Sequence, residues 1–507
     1  MLTPIPTPLC AWLTLLAQAV PNRSALTFLE LLLGAMITDR GFVTEALLAI
    51  TPRRKWPTYF KWLEGGKWSW IAVAQRLCKI LVAHFAPPVW YLVIDDTLVP
   101  RASKKAPDVG FHFDHSRKPN RSRYIWGQGW VTLAAVVPAK TVATSWAVPL
   151  ISRLVRKTGN HGKLTGARVL LRVVRGLFGQ GRLLLDTWFM RASVITFALD
   201  EGLTVIGQVR KDLALYRPPP ARHVGQRGRT PKYGAKMTEQ AVATLKETRS
   251  FLFLYGQGQI VRYRSAVVLA KFLGGRAVRA VWVRLEDENG LPKAPRLLIS
   301  TEITMTARDI IDAYALRWTI EPMFCSLKHG SGIKETWQRR RQTLHRWGQI
   351  LSTTFALTQM MAVYDPVIAR QLAIVAPWRK ERHPTAGMVK RGLAAMFRNV
   401  SLLAVWCSRN IEMTPLCKVD VTLPEVRGAS EVRDAGGVDE QEGIRSAGSS
   451  AGRSVWPSAC RGCLRTARPE AAADLSVTGR FEARGRSQPG FETARSAEQQ
   501  PSVRGVS

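Results

Sequence analysis

A chain of 507 residues has room for roughly two to four domains with sizeable cores. Its 73 Lys and Arg against 37 Asp and Glu leave a formal net charge of +36, a self-repulsion that a polyanion offsets most simply, so nucleic acid is the expected partner. No stretch approaches the roughly 20 uncharged apolar residues of a membrane span, which argues against a membrane partner. Seven Cys at irregular spacing point to a reducing, cytoplasmic compartment rather than a disulfide scaffold.

Residues 1–87 read as helical. The apolar run Leu9 to Val20 has no basic residue before it and is expected to be a buried helix rather than a signal peptide. Ala25–Thr38, Phe42–Ile50 and Ser69–Phe85 carry amphipathic patterns broken by Pro21, Pro52, Pro57 and Gly65-Gly66. Between them Arg53, Arg54, Lys55, Lys61 and Lys67 interleave with Trp56, Tyr59, Phe60, Trp62 and Trp68, a mixture suited to DNA backbone contact. From Val89 the texture changes. VWYLVIDDT is a dense buried-strand run ending in Asp95-Asp96-Thr97. Strands are expected at Gly129–Val137 and Thr144–Ile151, a helix at Leu164–Phe178, a strand at Arg182–Leu185 ending at Asp186, a helix from about Arg191 to Leu199, and a strand at Leu203–Val209. Together these describe an α/β fold, a mixed sheet with flanking helices over 88–209.

A Pro/Gly/Arg-rich loop, Arg210–Lys236, opens a β-rich insertion over 210–305, with strands at Phe251–Leu254, Ile260–Leu269, Ala277–Leu285 and Arg296–Ser300. The stretch from Thr306 to about Ile333 reads as one helix, capped by Thr306 with Asp309 three residues on, and closed by Gly330 and Gly332. Trp337, Arg339-Arg340-Arg341, His345 and Arg346 follow, then a long helix from about Leu344 to Tyr364, which ends the closing-helix segment 306–364. A C-terminal helical region, 365–426, includes a helix at Thr385–Phe397. The tail, 427–507, is rich in Gly, Ser, Ala, Arg and Glu and is expected to be disordered. Its Cys460 and Cys463 form a single pair, weak grounds for zinc.

On the 306–333 helix Tyr314, Arg317, Glu321 and Lys328 fall within a stripe about 60° wide at roughly 100° per residue. A carboxylate among a phenol, a guanidinium and an ammonium suits a metal-bound phosphodiester: the acid holds the cation and the others hold phosphate oxygens. Asp95 or Asp96 and Asp186, at two strand ends, supply the further hard oxygens that a pair of divalent ions requires. The bland readings are a solvated Arg/Glu pair, a strand-end turn and a helix N-cap.

Tyr-x2-Arg-x3-Glu-x6-Lys, here Tyr314, Arg317, Glu321 and Lys328 with Trp318 after the Arg, resembles the motif of the DDE transposases of bacterial insertion sequences. Ile94-Asp95-Asp96-Thr97 resembles that family's first Asp motif, which favours Asp95 as the ligand, and Asp186-Thr187-Trp188-Phe189 resembles its second. The likeness covers roughly 88–364. It implies an RNase H-like catalytic domain in which Asp95, Asp186 and Glu321 ligate two Mg²⁺, with Mn²⁺ as a substitute. It also implies that Tyr314, Arg317 and Lys328 grip DNA phosphates, and that a homodimer nicks element ends and transfers the 3′-hydroxyls into target DNA.

Arg227 and Arg229 in QRGRTPKYG are candidates for minor-groove contact. Arg117, Lys118, Arg121 and Arg123 are read as a basic loop facing DNA, in preference to a zinc site of His112, Asp114 and His115. Gly162-Lys163 lacks the first Gly of a Walker loop, so no nucleotide is expected. The rival readings are a stand-alone nuclease on the same fold and an inactive basic DNA-binding relative.

Overall fold

The computed structural model describes residues 5–114, 122–138, 145–155, 159–221, 227–287, 289–373, 383–397, 405–407 and 412–413. All of them fall within one compact unit, Met1–Ala467.

Five helices come first: α1 (Thr7–Ala17), α2 (Asn22–Ile37), α3 (Val43–Leu48), α4 (Trp56–Gly65) and α5 (Trp70–His84). Ser69 caps α5 by accepting the Ala72 N–H. Every residue of α2 from Ala25 to Ile37 is buried, as befits a helix that is apolar nearly all round and central to its bundle.

Six strands and two helices form the next layer: β1 (Tyr91–Pro100), β2 (Gly110–Phe113), β3 (Tyr124–Pro138), β4 (Ser145–Leu154), α6 (Gly159–Val173), β5 (Arg182–Leu185), α7 (Ala192–Asp200) and β6 (Thr204–Val209). β1 runs antiparallel to β3 and parallel to β5, which in turn is parallel to β6. β3 pairs with β4 on one stretch and with β2 on another. Two antiparallel strands, a central strand and two parallel partners, with helices on the faces, make an RNase H-like core. Two segments differ from expectation. Gly110–Phe113, where no strand is expected, is one, its aromatics paired with Trp126 and Tyr124 across the ladder, and β3 begins at Tyr124 rather than Gly129.

The insertion extends the same sheet. β7 (Leu215–Tyr216), α8 (Glu239–Ala243), β8 (Thr248–Leu254), β9 (Gln257–Ala270), β10 (Arg276–Leu285) and β11 (Arg296–Ser300) follow, and β11 pairs antiparallel with β6. The strand order is therefore β2-β3-β1-β5-β6-β11-β10-β9-β7.

The stretch expected as one helix is three pieces: α9 (Ala307–Ala315), a 3-10 turn (Leu316–Thr319) and α10 (Ile320–His329). Pro322 supplies the reason. It has no N–H for the Trp318 carbonyl, and its ring would strike that carbonyl in a continuous α-helix. Thr306 caps α9 as expected, accepting the Asp309 N–H at 3.1 Å.

α11 (Arg341–Tyr364) is buried along nearly its whole length and packs against α2, α4, α5 and β4. Arg346 ties it to the N-terminal helices by donating to the carbonyls of Leu63, Glu64, Gly66 and Trp68 at 2.6–3.1 Å. The C-terminal region holds α12 (Pro366–Leu372) and α13 (Ala386–Phe397), and also a short ladder, β12 (Trp406–Cys407) with β13 (Glu412–Met413), where only helix was expected. No helix among the described residues is long and apolar enough to cross a membrane. The tail 427–507, with Cys460 and Cys463, lies outside the described residues.

Candidate active site

The site follows from strand register. Ile94, Leu185 and Gly207 are aligned neighbours on the parallel strands β1, β5 and β6. The next residues, Asp95, Asp186 and Gln208, therefore stand side by side where β5 ends, on strands about 4.8 Å apart; β1 itself was expected to end at Asp95-Asp96 but continues to Pro100, paired with β3. Side chains alternate along a strand, so Asp95 shares a face with Val93, Asp186 with Leu184 and Gln208 with Ile206. Those three apolar residues belong to the core cluster built with Ile310, Ile311, Tyr314, Met323 and Phe324. The same sheet face thus carries the acids and receives α9, the 3-10 turn and α10.

The guanidinium of Arg317 lies over this row. Its Nη1 donates to Asp95 Oδ2 at 3.1 Å, with both side chains only 13% exposed, and stands 3.8 Å from Glu321 Oε1. Its Nε is buried without a hydrogen-bond partner. Tyr314 is buried beneath it, with the Arg317 Cζ 5.9 Å from the ring centre, and its hydroxyl reaches Gln208 Oε1 at 3.5 Å. Glu321 is the most open of the three acids, its side chain 45% exposed.

Burial, with neighbouring charge second to it, perturbs the titration of Asp95 and Asp186. Burial and the neighbouring Asp186 push the Asp95 carboxyl well above the usual range; Arg317 opposes this, while Glu321 and Asp96 add to it. Burial also raises Asp186, against the pull of the Phe189 N–H at 2.9 Å and of Arg317. Burial raises the Tyr314 hydroxyl to about 12. Burial disfavours the charge on Arg317, but Tyr314, Asp95, Glu321 and Asp186 together hold its pKa above the ordinary value. A buried carboxyl hemmed in by other acids is a place where a cation is stabilised.

Asp96 separates from this group. It points to the other face of β1, the side shared with Leu92 and Ile94, and pairs with Lys163 of α6 at 2.7 Å; Lys163 also lies 5.0 Å from the Trp188 ring. The opposed faces set Asp95, not Asp96, beside Arg317 and Glu321.

Acids in register on adjacent strands of an RNase H-like sheet define the comparison to make. Residues 16–261 match the DDE superfamily endonuclease family. The endonuclease match contains Asp95, Asp96 and Asp186 and ends before α9, so Arg317 and Glu321 join the site from beyond the matched span. No curated protein matches the chain.

The donor chemistry fits the divalent ions of such endonucleases: hard carboxylate oxygens, one of them on a carboxyl that burial and then its acidic neighbours make reluctant to ionise without a cation. Among the described residues no three of His, Cys, Asp and Glu stand close enough to hold one ion, since Arg317 is interposed between Asp95 and Glu321. An ion on Asp95 Oδ2 would have to displace the guanidinium.

The remaining candidates are scattered. Lys328 is half-buried on α10. Arg227 and Arg229 are exposed on the loop before α8, and Arg123 is exposed at the start of β3. Arg117, Lys118, Arg121 and His115 lie outside the described residues; His112 is on β2 and Asp114 follows it. In the N-terminal stripe Arg53, Arg54, Lys55, Lys61 and Lys67 are exposed with Trp56 and Phe60, whereas Tyr59 is buried on Glu30 and Trp62 stacks on Trp68 at 4.5 Å. A cavity of about 860 Å³ runs from Tyr91, Arg182 and Glu302, at the start of β1 and β5, along Leu316, Trp318, Thr319 and Pro322, the residues that flank Arg317 and Glu321; Asp95 and Asp186 do not line it. Gln208, Lys163 and Pro322 have parts in the site that the sequence reading did not assign.

Proposed function

We propose that this chain is a metal-dependent DDE transposase that cleaves DNA at the ends of an insertion sequence and joins the 3′-hydroxyls to target DNA. The observation that carries the reading is the register of Asp95 and Asp186 on adjacent parallel strands with Arg317 and Glu321 over them. Asp95, Asp186 and Glu321 would hold the divalent ions, which supply Lewis acidity to a phosphodiester and lower the pKa of the attacking oxygen. Tyr314, Arg317 and Lys328 would hold DNA phosphates. Arg317 would exchange its bond to Asp95 for a bidentate bond to a phosphate as DNA arrives, a partner whose geometry suits a guanidinium at least as well. Asp96, neutralised by Lys163, would brace β1. The exposed bases and aromatics of residues 1–87, with Arg227, Arg229, Arg121 and Arg123, would contact the duplex backbone. Two DNA ends, each needing a site, call for a homodimer.

The test begins by sequencing the DNA on both sides of the gene, where this reading expects short inverted repeats to serve as the ends. With Mg²⁺, purified protein should nick a labelled duplex carrying such an end and join a pre-cleaved 3′-hydroxyl end to plasmid DNA. Asp186→Asn and Glu321→Gln should each abolish both steps while binding the end as wild type does. Cleavage without joining would favour the stand-alone nuclease reading. Retained Mg²⁺-dependent cleavage in both variants would overturn the site.

A further inference from the structure

Among the described residues Trp337 is the most exposed large hydrophobic side chain, 77% accessible. An isolated indole in water is unfavourable, and here the loop that carries it is held from several sides. The Arg101 guanidinium, just past the end of β1, donates to the Lys334 carbonyl at 2.6 Å and to Thr336 Oγ1 at 2.5 Å. Glu335 Oε2 accepts the Gly41 N–H at 3.0 Å, and Trp347 Nε1 donates to the Gly41 carbonyl at 2.7 Å. Gly41 and Gly332 meet backbone to backbone, so closely that a Cβ on either would collide with the other, and Gly332 has φ +66°. The Trp337 ring rests edge-on against Phe42 at 5.8 Å, and Arg40 covers Phe42 at 5.4 Å. Nothing in this arrangement hides the outer indole face.

The surroundings are basic. Arg40, Lys334, Arg339 and Arg340 are exposed around Trp337, against three acids, Glu335 (3.3 Å from Arg40), Glu64 (2.6 Å from Arg340) and Asp39 (3.0 Å from Lys390). A fixed aromatic ring within a rim of arginines matches the chemistry of nucleic acid, with planar bases to stack on and phosphates to pair. The location agrees. The loop follows α10, which carries Glu321 and Lys328, and Arg101 anchors it six residues beyond Asp95, about 20 Å along β1 and about six base steps of B-DNA.

We propose that Trp337 stacks on an exposed base face of the DNA bound at the acidic site, with Arg40, Arg339 and Arg340 on the adjoining phosphates. This rests on the reading of the site as a DNA-processing centre. The base face is that of a terminal pair or of a step opened by the protein.

The experiment walks 2-aminopurine through terminal and internal positions of an end-bearing duplex and follows fluorescence and affinity for full-length wild type, Trp337→Ala and Trp337→Phe. Wild type should quench or enhance one position, and a terminal or an internal location distinguishes the two sources. W337A should lose that signal and bind about tenfold more weakly, while W337F keeps the signal and stays within about threefold. Equal melting temperatures for wild type and W337A would exclude a folding defect, which 77% exposure predicts. If W337A matches wild type in both signal and affinity while wild type still cleaves, the stacking role is wrong and the active-site reading stands. If wild type neither binds nor cleaves the duplex, both fail.

Discussion

Replacing Arg317 by Gln tests the electrostatics of the site before any DNA is added. The guanidinium is the cation nearest Asp95, at 3.1 Å, and both partners are 13% exposed, so solvent screens the pair little. Removing one partner of a buried pair typically costs about 3–5 kcal/mol, because the other charge is stranded. For a cooperative unit of roughly 400 residues, with unfolding entropy of about 2.1 cal/mol/K per residue, that is a fall of about 4–6 °C in melting temperature. The pH dependence has a definite sign. A carboxyl whose folded pKa is raised, as that of Asp95 is, contributes stability at low pH that is lost as pH rises through the raised value. Loss of Arg317 raises it further, so the deficit of the variant should be largest near neutral pH and shrink in acid. A divalent ion at about 100 times its Kd should return about 2.7 kcal/mol, or about 3 °C. Scanning fluorimetry at pH 7.5 and 5.5, with and without Mg²⁺, reads all of this. A variant that melts within about 1 °C of wild type at pH 7.5, or whose deficit ignores both pH and Mg²⁺, would refute the reasoning.

Pro322→Ala restores an N–H for the Trp318 carbonyl and frees residues 316–319 to become α-helical; four residues changing from about 120° to about 100° each turn α10 by about 80° relative to α9. That turn would carry Met323 and Phe324 off the core, so the variant should melt lower than wild type and cleave at least tenfold more slowly in the end-nicking assay. Arg346→Ala removes a donor from four carbonyls, of which those of Leu63 and Trp68 are in buried bonds worth about 1–3 kcal/mol each, and should lower the melting temperature by about 3 °C or more, with Arg346→Lys recovering less than half because an ammonium lacks the planar fork. His345 is depressed to about 3 by burial and by Arg341 and Arg153, and its Nε2 accepts the Leu154 N–H at 3.1 Å. A depressed folded pKa means stability present above the unfolded value of about 6.5 and lost as pH falls, so His345→Gln should flatten the acid limb of a melting-temperature profile between pH 6.5 and 4.

How much of this was legible in the sequence varied with the range of the interaction. Most strand and helix identities over 88–209 follow from local apolar texture, β2 excepted, but β1 does not stop at its two acids as expected: it runs on through Asp95 and Asp96 to Pro100, still paired with β3. The choice between Asp95 and Asp96 was not legible, since adjacent residues on a strand differ only in face, and the face is set by α9 and α10, which enter more than 200 residues later. Lys163 and Gln208 were hidden for the same reason: their roles depend on register between segments far apart in sequence. The break at Leu316–Thr319 is legible in Pro322 alone: apolar spacing runs on through the proline as if the helix were continuous, although a proline three residues into a helix constrains the turn before it. In the N-terminal stripe the alternation of bases and aromatics looked uniform, but the fold divides it. Tyr59, Trp62 and Trp68 pack inward, and Trp56 and Phe60 remain outside with the bases.

The central claim, that Asp95 and Asp186 meet at one divalent-ion site that excludes Asp96, is tested most directly by Mn²⁺ binding, followed by the electron paramagnetic resonance of free Mn²⁺ in titrations of wild type, Asp95→Asn, Asp186→Asn and Asp96→Asn. Weakening of at least tenfold in the first two variants, with D96N within about threefold of wild type, is the expected result. Equal binding by all four proteins, or a loss confined to D96N, would contradict it.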